Sequence, residues 1–577
     1  MDKQGKLSKI SAYAVFVLSG FLFVFFCLTG RDLASRGNIF WTGSYTLRTM
    51  GISLVAGGIL GAALCFFLCK AGSGDFFSTD ALRKKFSGRW LFQRVSGVKS
   101  RVVFIVSMVL ILLSWLPGYL AYYPAVCAYD FPIQMEQITQ NLFNDHHPVM
   151  HTLLIKWSMD LGNVLFGSAN AGIGCFAFVQ MLFLASVFAV GTAYLWRRRE
   201  RRIWVLLLQL FWMVYPFNFF MSISMTKDTI FSGLFMLQIL ALYGMVQGET
   251  DKKISAMEIL FFFSSVGMIL FRNNGKYALM VLLAFLLLTV LFGKGKRRFF
   301  GMLLLLSVGA FIAGNIFLTV LFHAVGAGQG DKREMLSIPI QQMTRAMVYH
   351  GGVGVNAEDD GSMDDESKAL INDFILNEAY CRYRPDFADP VKSNTNTYVV
   401  RYRTKEFITV YFRLLKQYPG DFINAVLAVD AGYLYPGDVT HAYINAQEGQ
   451  AAGGGYVQTR WDEETLRRSG IYKASKWPGL HELLERWADD NAYLKLPILK
   501  YLFVPGTWLY LYLLLFGWLV VGKDFRLCLP LSLVLGYYLT LFLGPTVQLR
   551  YIYPVMIVYP FLALLCAGKR RDDAALQ

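Results

Sequence analysis

Long apolar runs recur along this chain, and they leave few folds open to it. Each is roughly 17–25 residues long, enough for a helix to cross a ~30 Å hydrocarbon core. Inside lipid the backbone N–H and C=O groups must be satisfied within the segment, so such runs are read as helices. Twelve are recognised, at residues 11–29, 47–69, 102–122, 171–195, 203–221, 229–247, 256–271, 277–293, 299–322, 499–521, 525–543 and 551–567. With 55% of its 577 residues hydrophobic and a mean hydropathy of +0.42, the chain carries more apolar surface than a soluble core hides. The expected fold class is an α-helical polytopic membrane protein. The first run follows Lys3, Lys6 and Lys9. It is too long for a signal-peptide core and lacks a small-residue cleavage site, so it reads as the first span. Residues His151–Phe166 are apolar but short, and Lys156 and Asp160 mark them as an interfacial helix.

The net charge of +15 raises the question of nucleic acid. The basic residues fall in short clusters between apolar runs, as they do in cytoplasmic loops, and nucleic acid is set aside as a partner. With the N-terminus inside, one alternation places every strong cluster in the cytoplasm: the 70–101 loop, Arg197–Arg202, Lys252/Lys253, Lys294–Arg298, Lys523/Arg526 and Lys569–Arg571. Both termini are therefore expected in the cytoplasm.

Segment 323–497 has a different character. It holds 24 acidic and 19 basic residues, net −5, whereas the rest of the chain, with 36 basic and 16 acidic, carries +20. A mostly helical exoplasmic domain is expected here. Its amphipathic stretch Asn396–Gln417 is broken by Pro419-Gly420, a second helix covers Asp421–Tyr433, Gly449–Gly455 is a loop, and helix resumes over His481–Tyr493. Four regions result: 1–101, two spans and a basic loop; 102–322, a transmembrane module with external loop 123–170; 323–497, the exoplasmic domain; and 498–577, the last spans and a basic tail.

The residues able to carry chemistry gather on the exoplasmic side. Loop 123–150 holds Asp130, Glu136, Asp145, His146 and His147. Pro132 suits the first turn of a helix, so Asp130 also reads as its N-cap. His147 and His151 are four apart, but Pro148 lies between them, which makes a weak metal signal. Lys227-Asp228 opens one span, Arg272-Asn273 joins two, and Arg550-Tyr551 opens the last. Ionisable residues at membrane depth are costly and tend to be paired or functional; snorkelling to headgroups is the competing reading. Three such cationic sites on the less basic face point toward an anion site. Gln341, Gln342 and Arg345 share about one helical turn, a polar face that equally reads as hydrogen bonding within the external domain. Of eight cysteines only Cys127 and Cys381 fall outside the apolar runs, and a disulfide between them is left open.

These motifs carry a resemblance. The loop with Asp130, followed by HHPVMHTLLIKW, resembles the first external loop of the GT-C superfamily of membrane glycosyltransferases, and Arg550–Pro554 (RYIYP) resembles an Arg-Tyr-Pro pattern in a late span of such enzymes. The set NDHHP, TKD, RNNG, PIQQMTR and DPVK with KQYPGDFINAVL looks like a group of Gram-positive membrane proteins placed near them; the match covers about 102–567. The resemblance implies a GT-C-like transferase (EC 2.4 type) in a bacterial cytoplasmic membrane, moving a sugar from a polyprenyl-phosphate donor to a cell-envelope glycan or other exoplasmic acceptor. It implies Asp130 as catalytic base. His146, His147, Lys227, Asp228, Arg272, Asn273, Gln341, Gln342, Arg345, Arg550 and Tyr551 would bind substrate. Members use an acidic pair for a divalent metal, and the string YDFPIQ at Asp130 departs from that pattern, so no cofactor is assigned and a metal stays open. The chemistry suits these residues: a phosphate leaving group needs little protonation, one carboxylate activates the acceptor hydroxyl, and direct displacement inverts the anomeric centre. Two competitors are a lipid-linked glycan polymerase or ligase with a diphosphate donor, and a lipid or glycan transporter. Transporters usually place binding groups at the bilayer midplane on repeated halves, and no repeat is visible here.

Overall fold

The computed structural model describes residues 3–39, 41, 43–72, 98–127, 130–198, 202–248, 255–293, 297–328, 330, 332–354, 359–444, 464–521 and 527–575. Most of the basic loop 70–101, residues 199–201, Lys252/Lys253, Lys294/Lys296, Lys523/Arg526 and the glycine-rich 449–455 lie outside the described residues. Among the described residues all regular structure is helical, with β-contacts limited to isolated bridges.

The helices in chain order begin with α1 (Lys3–Arg36), α2 (Gly43–Gly72), α3 (Ser100–Ala121), α4 (Phe131–Gln140), α5 (Val149–Phe166), α6 (Ala169–Arg197) and α7 (Arg202–Val214). Next come α8 (Pro216–Ile223), α9 (Lys227–Val246), α10 (Ala256–Phe271), α11 (Asn273–Phe292), α12 (Arg297–Val325) and α13 (Ser337–His350). After the helix Asp365–Phe374 and shorter helical pieces follow α14 (Thr404–Gln417), α15 (Pro419–Val429), α16 (Pro478–Asp489), α17 (Pro505–Val521), α18 (Cys528–Leu541) and α19 (Leu549–Ala575).

Among the described residues eight helices are long and apolar enough to cross a membrane: α1, α2, α3, α6, α9, α11, α12 and α19. The pair α7–α8, bent by 53° where Pro216 starts the second piece, makes a ninth if counted as one span. The remaining expected runs are the shorter apolar helices α10, α17 and α18. Residues 499–521 shorten because Leu499–Leu502 forms a 3₁₀ turn and the α-helix starts only at Pro505; proline has no N–H to donate and fits the first turn of a helix. The chain is thus a multi-pass helical membrane protein. Side chains such as Leu47, Leu54, Phe292 and Leu305 are exposed on the outer helices, the surface that lipid covers. α5 packs on α6 through Gly162 and Gly172, where a Cβ at Gly162 would stand 2.4 Å from the Gly172 nitrogen. Its other face exposes Trp157, Leu161, Val164 and Phe166 beside the Lys156–Asp160 pair.

Segment 323–497 contributes to several cores, chiefly two. Ile340, Met343, Phe374, Val410, Leu414 and Phe422 belong to a lobe core of their own. Tyr433, Ala442, Ile444, Leu466 and Tyr493 pack instead into the core of the helix bundle. Within the lobe the expected helix Asn396–Gln417 is two pieces, Thr397–Tyr402 and α14, parted at Arg403. The expected Asp421–Tyr433 begins earlier, with Pro419 in its first turn, and parts at Asp430. Cys127 is buried and Cys381 exposed, each a free thiol.

Candidate functional site

Three helix beginnings place the cations. Thr226 caps α9, its hydroxyl accepting from the Asp228 N–H, so Lys227 and Asp228 form the first turn. Arg272 is the single extended residue between α10 and α11, with φ −162° and ψ 133°. Arg550 is the second residue of α19. A helix N-terminus exposes unpaired N–H groups and the positive end of its dipole, so each cation adds to a field of its own sign. Such an arrangement favours an anion.

Asp130 is the first partner of that field. It occupies the N-cap position of α4 but makes no side-chain capping bond. Its Oδ2 accepts instead from Lys227 Nζ at 2.7 Å and Arg550 Nη1 at 2.9 Å, while Oδ1 accepts from Arg550 Nη2 at 3.3 Å. The cap reading of the sequence gives way because two cations offer a carboxylate more than one backbone N–H does. Asp228 is the second partner. It is fully buried, pairs with Arg272, accepts from the Thr226 hydroxyl at 3.0 Å and lies 3.7 Å from Arg550 Nε. Gln548 Oε1 accepts from Arg550 Nε at 2.6 Å. The Tyr551 ring stands under both guanidinium groups, 4.6 Å from that of Arg272 and 5.0 Å from that of Arg550, an arrangement favourable for cations on an aromatic face.

Burial by itself would raise the Asp130 pKa, but Arg550 and Lys227 outweigh it and hold the carboxyl well below the usual range. Burial and the neighbouring Lys227 ammonium push His147 well below its ordinary value, so its ring is neutral. Lys227 donates to His147 Nδ1 at 3.2 Å, which leaves the proton on Nε2, an atom with no hydrogen-bond partner among the described residues. His151, lowered to about 3 chiefly by burial, faces Gln134 through Nδ1 and likewise leaves Nε2 unpartnered among the described residues. Three cations over two carboxylates, with both rings neutral, leave the cluster one positive charge.

Asp130, His147, Lys227, Asp228, Arg272, Arg550 and Tyr551 thus meet in one cluster. His146 is exposed at its edge, its ring 4.6 Å from that of His147, and Asn273 is exposed just beyond Arg272. The Gln341–Arg345 face serves the lobe. Gln341 donates to the Arg384 carbonyl at 2.6 Å and Gln342 to that of Phe422 at 3.0 Å. Arg345 binds Asp421 at 3.0 Å, the Gly37 carbonyl at 2.8 Å and Asn38 at 3.2 Å. These contacts follow the hydrogen-bonding reading of that face. Thr226, Gln134 and His151 enter the cluster without having been assigned to it from sequence; the threonine before a charged span start and the four-residue spacing of His151 from His147 are the signals that could have announced them. A metal does not fit this donor set. Oδ2 of Asp130 and Nδ1 of His147 are already taken by cationic donors, and among the described residues no group of three or more His, Cys, Asp or Glu could hold an ion.

A polytopic helical bundle with a buried, net-positive charge cluster where three spans begin defines the class: a multi-pass membrane protein with a polar site among its helix ends. More narrowly, residues 138–577 match the family described as "Family of unknown function (DUF6020)", and the chain belongs to it. The matched region contains every cation of the cluster and begins after Asp130. No curated protein and no solved structure matches the chain.

Proposed function

We propose that the protein is a GT-C-like glycosyltransferase that moves a sugar from a polyprenyl-phosphate donor to an acceptor at the exoplasmic face of a bacterial cytoplasmic membrane. In this reading twelve spans cross the membrane, both termini are cytoplasmic and the lobe is exoplasmic. The observation that carries it is the convergence of Lys227, Arg272 and Arg550 on Asp130 and Asp228. One surplus positive charge suits the single negative charge of a phosphodiester-linked sugar; a diphosphate donor, with two, would overfill it. That count favours the monophosphate donor over the polymerase or ligase alternative.

Asp130 is a weak base while it holds Lys227 and Arg550. A donor phosphate that takes over these cations frees the carboxylate and raises its proton affinity. The acceptor hydroxyl then gives its proton to Asp130, and its oxygen bonds to the anomeric carbon. The bond from that carbon to the phosphate oxygen breaks, the electron pair leaving with the phosphate under Lys227, Arg272 and Arg550. His147 Nε2–H is placed to donate to a sugar hydroxyl. Direct displacement inverts the anomeric centre.

The test is transfer from a radiolabelled polyprenyl-phosphate sugar by the full chain in nanodiscs, wild type against Asp130→Asn. Full transfer by the variant would end this reading, as would bidirectional flux of the lipid with no transfer product.

A further inference from the structure

Away from the charge cluster, a groove of about 480 Å³ lies between the start of α3 and the end of α6. Both helices are long and apolar enough to be spans. From the groove α3 runs 22 residues to the loop that carries Asp130, about 33 Å at 1.5 Å per residue. The helical repeat lines the groove. On α3 Ser100 and Arg101 stand one turn before Phe104 and Ile105, and on α6 Val190, Ala193, Tyr194 and Arg197 share one face. Deeper in the bundle the same two helices meet directly, the Trp115 and Phe188 rings 6.0 Å apart. Trp196 Nε1 donates to the Val98 carbonyl at 3.2 Å, which holds the approach to α3 against the end of α6.

The lining has two characters. Ser100, Arg101 and Arg197 make a polar mouth, and Phe104, Ile105, Val190 and Ala193 an apolar floor. No carboxylate balances the mouth: neither the groove nor the first turn of α3 contains Asp or Glu. The Arg101 guanidinium and the Ser100 hydroxyl have no partner among the described residues. Arg197 ends α6, where a cation complements the helix dipole, but Arg101 lies in the first turn of α3, where the dipole opposes it. Topology explains why cations gather at this end of the spans. It does not explain why two of them, from different helices, converge above a hydrocarbon floor.

We propose that the groove binds one anionic glycerophospholipid, its phosphate between Arg101, Arg197 and the Ser100 hydroxyl and one acyl chain along Phe104, Ile105, Val190 and Ala193. A groove that is basic at the mouth and apolar beneath matches a molecule whose charge and hydrocarbon are joined at one end. Free phosphate leaves the floor uncovered, and a lipid without net charge leaves the two guanidinium groups unneutralised. Val102, Ile105 and Val106 are exposed on the same stretch of α3, so an acyl chain reaches the floor from the bilayer. The bound lipid clamps the start of α3 to the end of α6. The donor phosphate of the transferase reading belongs at the opposite end of α3, so this site stands independently of that reading.

The test is native mass spectrometry of the full chain titrated with phosphatidylglycerol, with phosphatidylcholine and with undecaprenyl phosphate. Wild type is expected to retain one phosphatidylglycerol about tenfold more tightly than phosphatidylcholine. Arg101→Gln and Arg197→Gln are each expected to weaken phosphatidylglycerol about tenfold, the scale of a lost hydrogen bond between charged groups. Ala193→Phe, which fills the floor and leaves every charge in place, is expected to do the same. Arg298→Gln removes one positive charge from the start of α12, outside the groove, and is expected to leave binding within about twofold of wild type. Equal retention of the two phospholipids by wild type overturns the site, as does a loss in Arg298→Gln as large as that in Arg101→Gln. Undecaprenyl phosphate that displaces phosphatidylglycerol from wild type at equal concentration overturns the choice of occupant.

Discussion

Two ion networks of similar make-up sit in this molecule and end differently. In the lobe, His350 bonds Asp360 at 2.6 Å through Nδ1 and Asp421 at 3.0 Å through Nε2, its ring stacked 4.0 Å from Tyr418. Asp421 also takes Arg345, whose remaining nitrogens reach Gly37, Asn38 and Tyr383. Every nitrogen of the His350 and Arg345 head groups has an acceptor. In the bundle, Asp130 and Asp228 face three cations and two imidazoles, each with an unpartnered nitrogen among the described residues. A network that satisfies itself fastens one part of a protein to another. A network with surplus charge and idle donors is what the proposed donor site requires.

The contrast can be broken most sharply at Asp130. Asp130→Asn is expected to cut sugar transfer about 100-fold or more, the loss of a general base. Binding of undecaprenyl phosphate should tighten in the same preparation, because its competitor for Lys227 and Arg550 is gone. Weaker binding would show that Asp130 organises the cations rather than competing for them. Next in size is Arg272→Met, which strips Asp228 of its closest partner in a fully buried setting. Breaking a buried pair costs about 3–5 kcal/mol, read as a large fall in melting temperature, and adding Asp228→Asn should restore much of it. Arg345→Met should cost about 2 kcal/mol, the scale of a lost charged hydrogen bond, with transfer per folded molecule unchanged; lost transfer at intact stability would return Arg345 to the substrate.

The smallest effect tests the lobe network by pH. Although burial opposes it, hydrogen bonds to Asp421 and Asp360 raise the His350 pKa above its ordinary value of 6.5. The protonated ring therefore adds stability that is fully present below that value and is lost as pH rises through the raised one. The melting-temperature gap between wild type and His350→Gln should close as pH climbs above neutrality. A gap that widens with pH would contradict the charged pairing.

Much of this was legible in the residues, for a definite reason. Lys227, Arg272 and Arg550 interrupt apolar runs, and a charge at membrane depth is conspicuous against lipid-facing neighbours. The meeting of Lys227 and Arg550 with Asp130, 420 positions from Arg550, and of Arg272 with Asp228, is not written in any periodicity, since hydropathy does not encode which helix ends adjoin. The Gln341–Arg345 face shows the same limit from the other side. One polar turn serves a substrate or a backbone equally well, and it takes the fold to bring Gln341, Gln342 and Arg345 to the carbonyls of Arg384, Phe422 and Gly37. Helix breaks at Arg403 and Asp430 escape pattern reading because neither residue is a breaker; each acts through position, Arg403 tied to Asp373 and Glu406.

Arg345 and Asn424 have a consequence for how the chain is made. They grip Gly37, Asn38, Ile39 and Trp41 in the turn between the first two helices, yet stand more than 300 positions later in the sequence. A ribosome delivers the α1–α2 hairpin to the membrane long before its clasp exists. The hairpin must wait there, held by its own close glycine packing, in which a Cβ at Gly57 would press to 2.6 Å on the Phe21 backbone. Chains arrested before residue 424 would carry an unlatched hairpin, open to extraction by membrane quality control.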